Sequence, residues 1–206
     1  MQERITKSGL AIVLSKLRDF EKPEAQSEQY TTDPEVAAEV LWQAYLKGDI
    51  EGKIIADLGS GTGLLGIGAS ILGAKKVYMI ERDLQAIQVA KENIDSVGLE
   101  NRFEILHQGI DSFNKEVEVV IQNPPFGTKV KHADREFLLK AFQIAPIVYS
   151  FHKSESTRFA EGLAAEHGFR ITNRLDFEFP LKMTQKYHKR RILRIKVSAY
   201  RFSRTV

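Results

Sequence analysis

Along residues 53–168 the spacing of hydrophobic residues switches repeatedly between two periods. Short apolar runs are each followed by a longer segment whose apolar residues recur every three or four positions, which predicts strands alternating with helices. The predicted strands are Lys53–Leu58, Lys76–Ile80, Phe103–His107, Val117–Gln122 and Ile147–Phe151. The predicted helices are Leu64–Leu72, Leu84–Val97, Asp134–Ile144 and Thr157–His167. This order indicates a mostly parallel, doubly wound α/β sheet.

The two ends of the chain follow other patterns. Residues 8–20 and the segment that begins at Asp33-Pro34 have helical spacing, so two helices are expected before the first strand. Near the other end, Phe169–Phe179 and Ile192–Phe202 have strand-like patterns with nothing helical between them, which predicts an antiparallel hairpin at the edge of the sheet. We therefore expect a Rossmann-like sheet of seven strands in a single domain over residues 1–206, with an N-terminal helical segment (1–50) and a core (51–206).

Composition limits the possible classes of protein. The 206 residues are 43% hydrophobic and 28% charged, as in soluble globular proteins, and no apolar run is long enough for a membrane helix. The N-terminal residues do not have the pattern of an export signal. Because the chain has no cysteine, it can form neither disulfides nor thiolate metal sites, and we expect a cytoplasmic protein without a metal centre.

A basic run spans residues 182–194 and contains seven Lys, Arg and His side chains, although the net charge of the chain is only +3. Such runs are common on solvated surfaces. Taken alone, this one favours a surface loop over a phosphate-binding segment.

Glycines cluster where the first predicted strand meets its helix. Three of them alternate with other residues in the glycine loop, Asp57-Leu58-Gly59-Ser60-Gly61-Thr62-Gly63, and their missing Cβ atoms let backbone approach a ligand. Glu81 follows the next strand, 22 positions after Gly59, where nucleotide-binding sheets place a carboxylate against ribose hydroxyls. Residues 61–66 also match the motif of dinucleotide enzymes, and a simple tight turn would explain the glycines as well.

The turn after the fourth strand has the sequence Asn123-Pro124-Pro125-Phe126. Two prolines make the turn rigid and remove backbone donors, so its carbonyls and the Asn123 side chain remain as acceptors. Two acceptors can hold the hydrogens of an exocyclic amine so that its lone pair points at an electrophilic methyl group. Phe126 offers a flat surface on which a flipped-out base can stack. A plain Pro-Pro turn would not require Asn and Phe beside the prolines.

These motifs resemble those of the class I S-adenosylmethionine-dependent methyltransferases that act on nitrogen. The chain is similar above all to the archaeal and eukaryotic rRNA adenine-N6 methyltransferases of the methyltransferase-like five type, over most of its length. The similar segments are Phe20–Pro23, Glu28–Tyr30, the glycine loop, Asn123–Lys129, Tyr149–Ser154, Tyr187–Lys189 and Arg201-Phe202.

The resemblance implies S-adenosylmethionine as the cofactor and a role for each matching residue. Segment 1–50 would cover the cofactor, the glycine loop would hold its methionine end, and Glu81 would hold its ribose. The implied cofactor-binding residues are Gln29, Thr32, Asp57, Gly59, Gly61, Thr62, Gly63, Leu64, Glu81, Gly109 and Ile110. The implied catalytic residues are Asn123, Pro124, Pro125 and Phe126. Two positions depart from the family, which commonly has an acid at Gly109 and a proline at Thr31.

The resemblance also implies partners. An RNA substrate, in small-subunit rRNA, would be contacted by Lys129, Lys131 and the basic run, which reverses the preference for a plain surface loop. The related enzymes are commonly stabilised by a small zinc-binding activator subunit that adds a strand to their sheet, and the predicted sheet has an exposed edge beyond Phe103–His107. His107 and His188 are not expected to take part in the chemistry.

The sequence therefore predicts adenine-N6 methylation of ribosomal RNA. Methylation of a glutamine amide in a protein would use the same acceptors, although Phe126 argues against it, since sites of that kind usually carry Tyr there. An RNA-binding module without turnover and a dinucleotide oxidoreductase are the remaining alternatives.

Overall fold

The computed structural model describes residues 5–19, 32–125, 133–181 and 193–205. Six α-helices occur in these residues: α1 (Lys7–Leu14), α2 (Pro34–Leu46), α3 (Leu64–Ile71), α4 (Leu84–Val97), α5 (Ala133–Ile144) and α6 (Thr157–Glu166). The strands are β1 (Ile54–Leu58), β2 (Lys76–Glu81), β3 (Phe103–His107), β4 (Val119–Gln122), β5 (Ile147–Lys153), β6 (Phe169–Leu181) and β7 (Leu193–Arg204).

The seven described strands form one sheet in the order β3-β2-β1-β4-β5-β7-β6. The first five strands are parallel, and β7 is antiparallel to both β5 and β6. The chain reverses its direction of strand addition between β1 and β4, which is the place where open α/β sheets bind ligands.

Helices cover both faces of the sheet. Buried residues of α1 to α4 form one hydrophobic cluster with one face, and buried residues of α5 and α6 form a second cluster with the other. The helices begin and end where local chemistry dictates. Asp33 accepts hydrogen bonds from Glu35 and Val36 at the start of α2, and Gly98 ends α4 in the left-handed conformation at φ 67°.

The predicted fold class is confirmed, including the two N-terminal helices and the antiparallel C-terminal hairpin. Several predicted boundaries were wrong, among them the ends of β5, β6 and β7, and two of the errors have a cause in the hydrogen bonding. The first helix ends at Leu14, because Lys16 and Leu17 make tighter turns through bonds to the carbonyls of residues 13 and 14. The fourth strand begins at Val119, since the Val117 amide donates to Ile144 at the end of α5.

Neither α2 nor any other helix of the described residues is both long and apolar enough to cross a bilayer. Within the same residues, His, Asp and Glu side chains form no group of three that could hold a metal ion.

Candidate active site

The motifs meet at the carboxyl ends of three adjacent strands. In the register of the sheet, Leu58 of β1 pairs with Ile80 of β2 on one side and with Gln122 of β4 on the other. The glycine loop, Glu81 and Asn123 directly follow or end these strands. The sequence motifs therefore lie side by side at the carboxyl ends of the strands.

The glycine loop needs its glycines for conformation and for packing. Gly59, Gly61 and Gly63 have φ angles of 67°, 53° and 89°, which side chains strongly disfavour. A Cβ atom on Gly59 would lie 2.9 Å from the Phe137 ring, and one on Gly63 would lie 2.6 Å from the Met79 methyl group. At these two positions Phe137 and Met79 occupy the space that a side chain would need.

Asp57 lies behind the glycine loop. Its side chain is 1% exposed, and its Oδ2 atom accepts a hydrogen bond of 2.8 Å from the backbone nitrogen of Gly66, in the first turn of α3. Burial is the main cause that raises the pKa of Asp57 to about 7, with Glu81 adding repulsion and the Gly66 bond acting against both. The carboxylate thus fixes α3 to the end of β1.

Glu81 accepts hydrogen bonds from three backbone nitrogens. Oε2 lies 2.8 Å from the nitrogen of Gly61, and Oε1 lies 2.8 Å from that of Arg82 and 3.0 Å from that of Asp83. A carboxylate has about four acceptor positions, so these bonds leave room for a further hydroxyl donor. Glu81 both holds the glycine loop and can bind a ligand beside it.

Asn123 is held in one orientation. Its Nδ2 atom donates to the Thr32 hydroxyl across 2.9 Å. Its Oδ1 atom is buried, and no described residue gives it a hydrogen bond. The following Pro124 is buried and Pro125 is half-buried. A buried acceptor without a partner is costly to the folded protein, and it indicates a position that a donor on a substrate can fill.

A buried polar chain behind Asn123 was missed in the sequence, where nothing but adjacency to the motifs could have revealed it. Nε2 of Gln122 donates to the Ser150 hydroxyl at 3.0 Å, and that hydroxyl lies 2.7 Å from Nε2 of His152. Burial lowers the pKa of His152 to about 3, so the ring stays neutral near pH 7. These hydrogen bonds join β4 to β5 next to the turn that contains Asn123.

Several other predicted residues lie at the same end of the sheet. Thr62 and Leu64 are buried at 4% and 8% exposure, and the Thr62 carbonyl accepts a hydrogen bond from Asn93. Gly109 and Ile110 follow β3, and Ile110 begins a short 3₁₀ turn. His107 is exposed and its Nε2 atom contacts the Arg82 carbonyl, as a surface residue would.

The remaining predicted residues lie outside the described part of the chain. They are Gln29, Phe126, Lys129, Lys131 and the segment 182–192 of the basic run. Leu193 and Arg194, at the end of that run, belong to β7.

The described residues fit a cofactor with a polar amino-acid end and a ribose. Three polar atoms at the ends of adjacent strands, Ser60 Oγ, Gln122 Oε1 and Asn123 Oδ1, are buried and lack a hydrogen-bond partner among the described residues. Glu81 lies at the third strand end with acceptor capacity to spare. Acceptors and a hydroxyl therefore surround the switch point of the sheet, as a polar ligand requires.

A family model supports a methyltransferase. The model of ribosomal protein L11 methyltransferase (PrmA) matches residues 37–124. This range begins in α2 and ends in the Asn-Pro-Pro turn, so it contains the glycine loop, Glu81 and Asn123.

Relatives match over nearly the whole chain. Protein MJ0284 of Methanocaldococcus jannaschii is 35% identical over 97% of this chain and 95% of its own length. The rRNA N(6)-adenosine-methyltransferase Mettl5 of Drosophila melanogaster is 33% identical over 89% of each chain. A crystal structure described as that of an RNA methyltransferase, PH1948 from Pyrococcus horikoshii, is 46% identical, covers 97% of this chain and 98% of its own, and has a TM-score of 0.89.

Proposed function

The chain belongs to the Mettl5-type family of rRNA N6-adenosine methyltransferases, and we propose that it methylates N6 of one adenosine in small-subunit ribosomal RNA. Its methyl donor is S-adenosylmethionine. The observation that carries the proposed chemistry is the buried Oδ1 atom of Asn123, an acceptor without a partner among the described residues.

Asn123 and the Pro124 carbonyl are the proposed acceptors for the adenine amine. The lone pair of an exocyclic amine is delocalised into the ring, so the nitrogen becomes a nucleophile only when its hydrogens are held out of that plane. Two fixed acceptors at a rigid Pro-Pro turn supply this geometry without a strong base. The neutral His152 is consistent with such a site, because its low pKa makes it a poor proton acceptor near pH 7.

The cofactor is proposed to bind across the ends of β1, β2 and β3. It supplies an electrophilic methyl group on a positive sulfur. Gly59, Gly61, Thr62, Gly63 and Leu64 would hold its methionine end, Glu81 its ribose, and Gly109 and Ile110 its adenine.

Asp57 has a different proposed role from its neighbours. Its buried carboxylate supports the loop through Gly66 and does not need to touch the cofactor. Residues 1–50, including Gln29 and Thr32, are proposed to form the cover of the cofactor within a single domain over 1–206.

The hairpin supports an RNA-binding role for the basic run. Lys153, the last residue of β5, pairs with Val197, and Val197 pairs with Phe177. The paired residues 178–181 and 193–196 therefore extend past the carboxyl end of β5, by roughly 13 Å at about 3.3 Å per residue. Leu181 and Leu193, which flank the segment 182–192, lie at the end of the sheet that carries Asn123. Lys129 and Lys131 follow the Asn-Pro-Pro turn in the sequence.

The activator subunit is proposed to bind the edge strand β3. In the described sheet β3 pairs with β2 on one side and has no strand on the other. An unpaired edge is a template for strand addition by a partner. The test is to purify the chain from its native cell and look for a second subunit. Recovery of the chain alone, without a second subunit in near-stoichiometric amount, would contradict this part of the proposal.

The proposed function is tested by finding the atom that receives the methyl group. The chain, purified from its native cell with any subunit that it retains, is incubated with labelled S-adenosylmethionine and with ribosomal subunits, free rRNA or release factors. Label in N6-methyladenosine of small-subunit rRNA is expected. Label in a glutamine of a release factor, or cofactor binding without any transfer, would overturn the proposal.

A further inference from the structure

Asn123 is joined to a residue 91 positions earlier in the chain. Its Nδ2 atom lies 2.9 Å from Oγ1 of Thr32, a side chain that is 8% exposed. Asparagine Oδ1 and Nδ2 have the same shape but opposite hydrogen-bonding roles, and a hydroxyl can bond to either one. Here it accepts from Nδ2, and this bond sets which end of the amide faces the substrate. The contact with Thr32 leaves Oδ1 as the end of the amide that has no partner among the described residues.

The Thr32 hydroxyl is itself firmly placed. Thr32 directly precedes Asp33, whose carboxylate caps α2, and Pro34 occupies the first helical position. Buried residues of α2, among them Ala37 and Leu41, pack α2 into the core. A short connection from a capped and packed helix therefore fixes the hydroxyl beside the catalytic turn.

The chemistry requires this orientation of the amide. An adenine amine offers hydrogens, so it needs Oδ1 and would be repelled by an NH₂ group at the same place. A hydroxyl that accepts from Nδ2 stabilises the productive orientation, whereas an apolar side chain of the same shape would favour neither.

We propose that Thr32 is a positioning residue that acts on catalysis through Asn123. Its hydroxyl holds the amide of Asn123 with Oδ1 toward the acceptor amine, and it couples the N-terminal segment to the catalytic turn. The identity of the amine rests on the proposed function. The hydrogen bond and its effect on Asn123 do not.

A kinetic double-mutant cycle tests whether Thr32 works through Asn123. Thr32→Val removes the hydroxyl and keeps the shape, and Thr32→Ser restores the hydroxyl. At saturating S-adenosylmethionine, Thr32→Val should lower kcat on rRNA by about tenfold or more, as expected for losing the partner of a preorganised group, and Thr32→Ser should recover most of it. In an Asn123→Ala background, Thr32→Val should cause no further loss.

Equal losses in both backgrounds would overturn the proposal, because Thr32 would then act independently of Asn123. Calorimetry measures the cofactor affinity of Thr32→Val. The proposal would also be overturned if kcat stayed at the parent value and weaker cofactor binding explained the whole loss of kcat/KM.

A second measurement needs no RNA substrate. In protein labelled with ¹⁵N-asparagine, the side-chain amide signals of Asn123 are those that Asn123→Ala removes. Thr32→Val should shift these signals and speed their hydrogen exchange, and Thr32→Ser should leave them near the parent positions. The Asn93 amide, which donates to the carbonyls of Arg18 and Thr62, is the internal control. Unchanged Asn123 signals in Thr32→Val would overturn the proposal even if RNA proved not to be the substrate.

Discussion

Oε2 of Glu81 lies 2.8 Å from the backbone nitrogen of Gly61 and so connects the end of β2 to the loop after β1. This bond gives Glu81 a second role beside its proposed role as a ribose acceptor. Its removal should disturb the loop and the ribose contact together.

Glu81→Ala is therefore expected to weaken S-adenosylmethionine binding by ten- to a hundredfold, or about 1.5–3 kcal/mol, the usual worth of a charge-assisted hydrogen bond. Calorimetry measures the change. Glu104→Ala is the matched control, because it removes a carboxylate of the outer strand β3 that pairs with Lys76 and Lys115. A dissociation constant equal to that of the parent would remove Glu81 from the cofactor site.

The basic run is expected to bind phosphates. Replacing Lys189, Arg190 and Arg191 by Ala should weaken RNA binding at all sequences and lower the slope of log K against log salt by roughly two to three units. Binding titrations at several salt concentrations measure that slope. Replacing the exposed Lys47, Lys75 and Lys91 by Ala changes the net charge equally and should alter the slope much less. Equal slopes for the parent and the first variant would make the run a solvated surface.

His152 is expected to make the fold sensitive to acid. Its pKa is about 3 in the folded protein against about 6.5 in the unfolded chain, so only the unfolded chain gains this proton between these values. The contribution to stability is complete above pH 6.5 and is lost as the pH falls toward 3. Asp57, whose pKa is raised to about 7, acts in the opposite direction as the pH falls from 7 toward 4.

Comparison with His152→Asn isolates the histidine, because Asp57 is present in both proteins. Between pH 7 and pH 5 the parent should lose about 2 kcal/mol of unfolding free energy relative to the variant. Denaturant unfolding at the two pH values measures this difference. A difference between the proteins that does not change with pH would show that His152 can be protonated in the folded state.

Gly109 is expected to accept an acidic side chain. Its φ is −69°, an ordinary value for any residue, and a Cβ atom there would meet nothing within 4 Å. Gly109→Asp should fold normally and bind the cofactor about tenfold more tightly, through one added hydrogen bond to the adenine amine. Gly98→Asp is the contrasting control, since its φ of 67° should make the same substitution destabilising. Weaker cofactor binding by a folded Gly109→Asp would place the adenine elsewhere.

The sequence was sufficient for the fold because its periodicities are local and strong. The order of strands and helices, the capping by Asp33 and the hairpin followed from spacing alone. The boundary error at Val119 arose because a tertiary hydrogen bond, from Val117 to Ile144, competes with the local pattern, and the error at Leu14 arose because tighter local turns replace the last helical turns.

Contacts within the site could not be read from spacing. The bond between Asn123 and Thr32 joins residues 91 positions apart. The hydrogen bonds that link Gln122 through Ser150 to His152 depend on the register of β4 and β5. The glycine pattern did predict the loop, yet it could not reveal that Phe137 and Met79 pack where two of the glycines lack side chains.

The central claim is that Oδ1 of Asn123 holds the acceptor amine, and the single-turnover rate of Asn123→Ala at saturating cofactor tests it most directly. Loss of one preorganised acceptor should lower that rate by about a hundredfold or more. Calorimetry should show S-adenosylmethionine affinity falling much less, and thermal unfolding should show a folded protein. A purified Asn123→Ala protein that methylates RNA at the parent rate would contradict the mechanism, even with the fold and the cofactor correctly assigned.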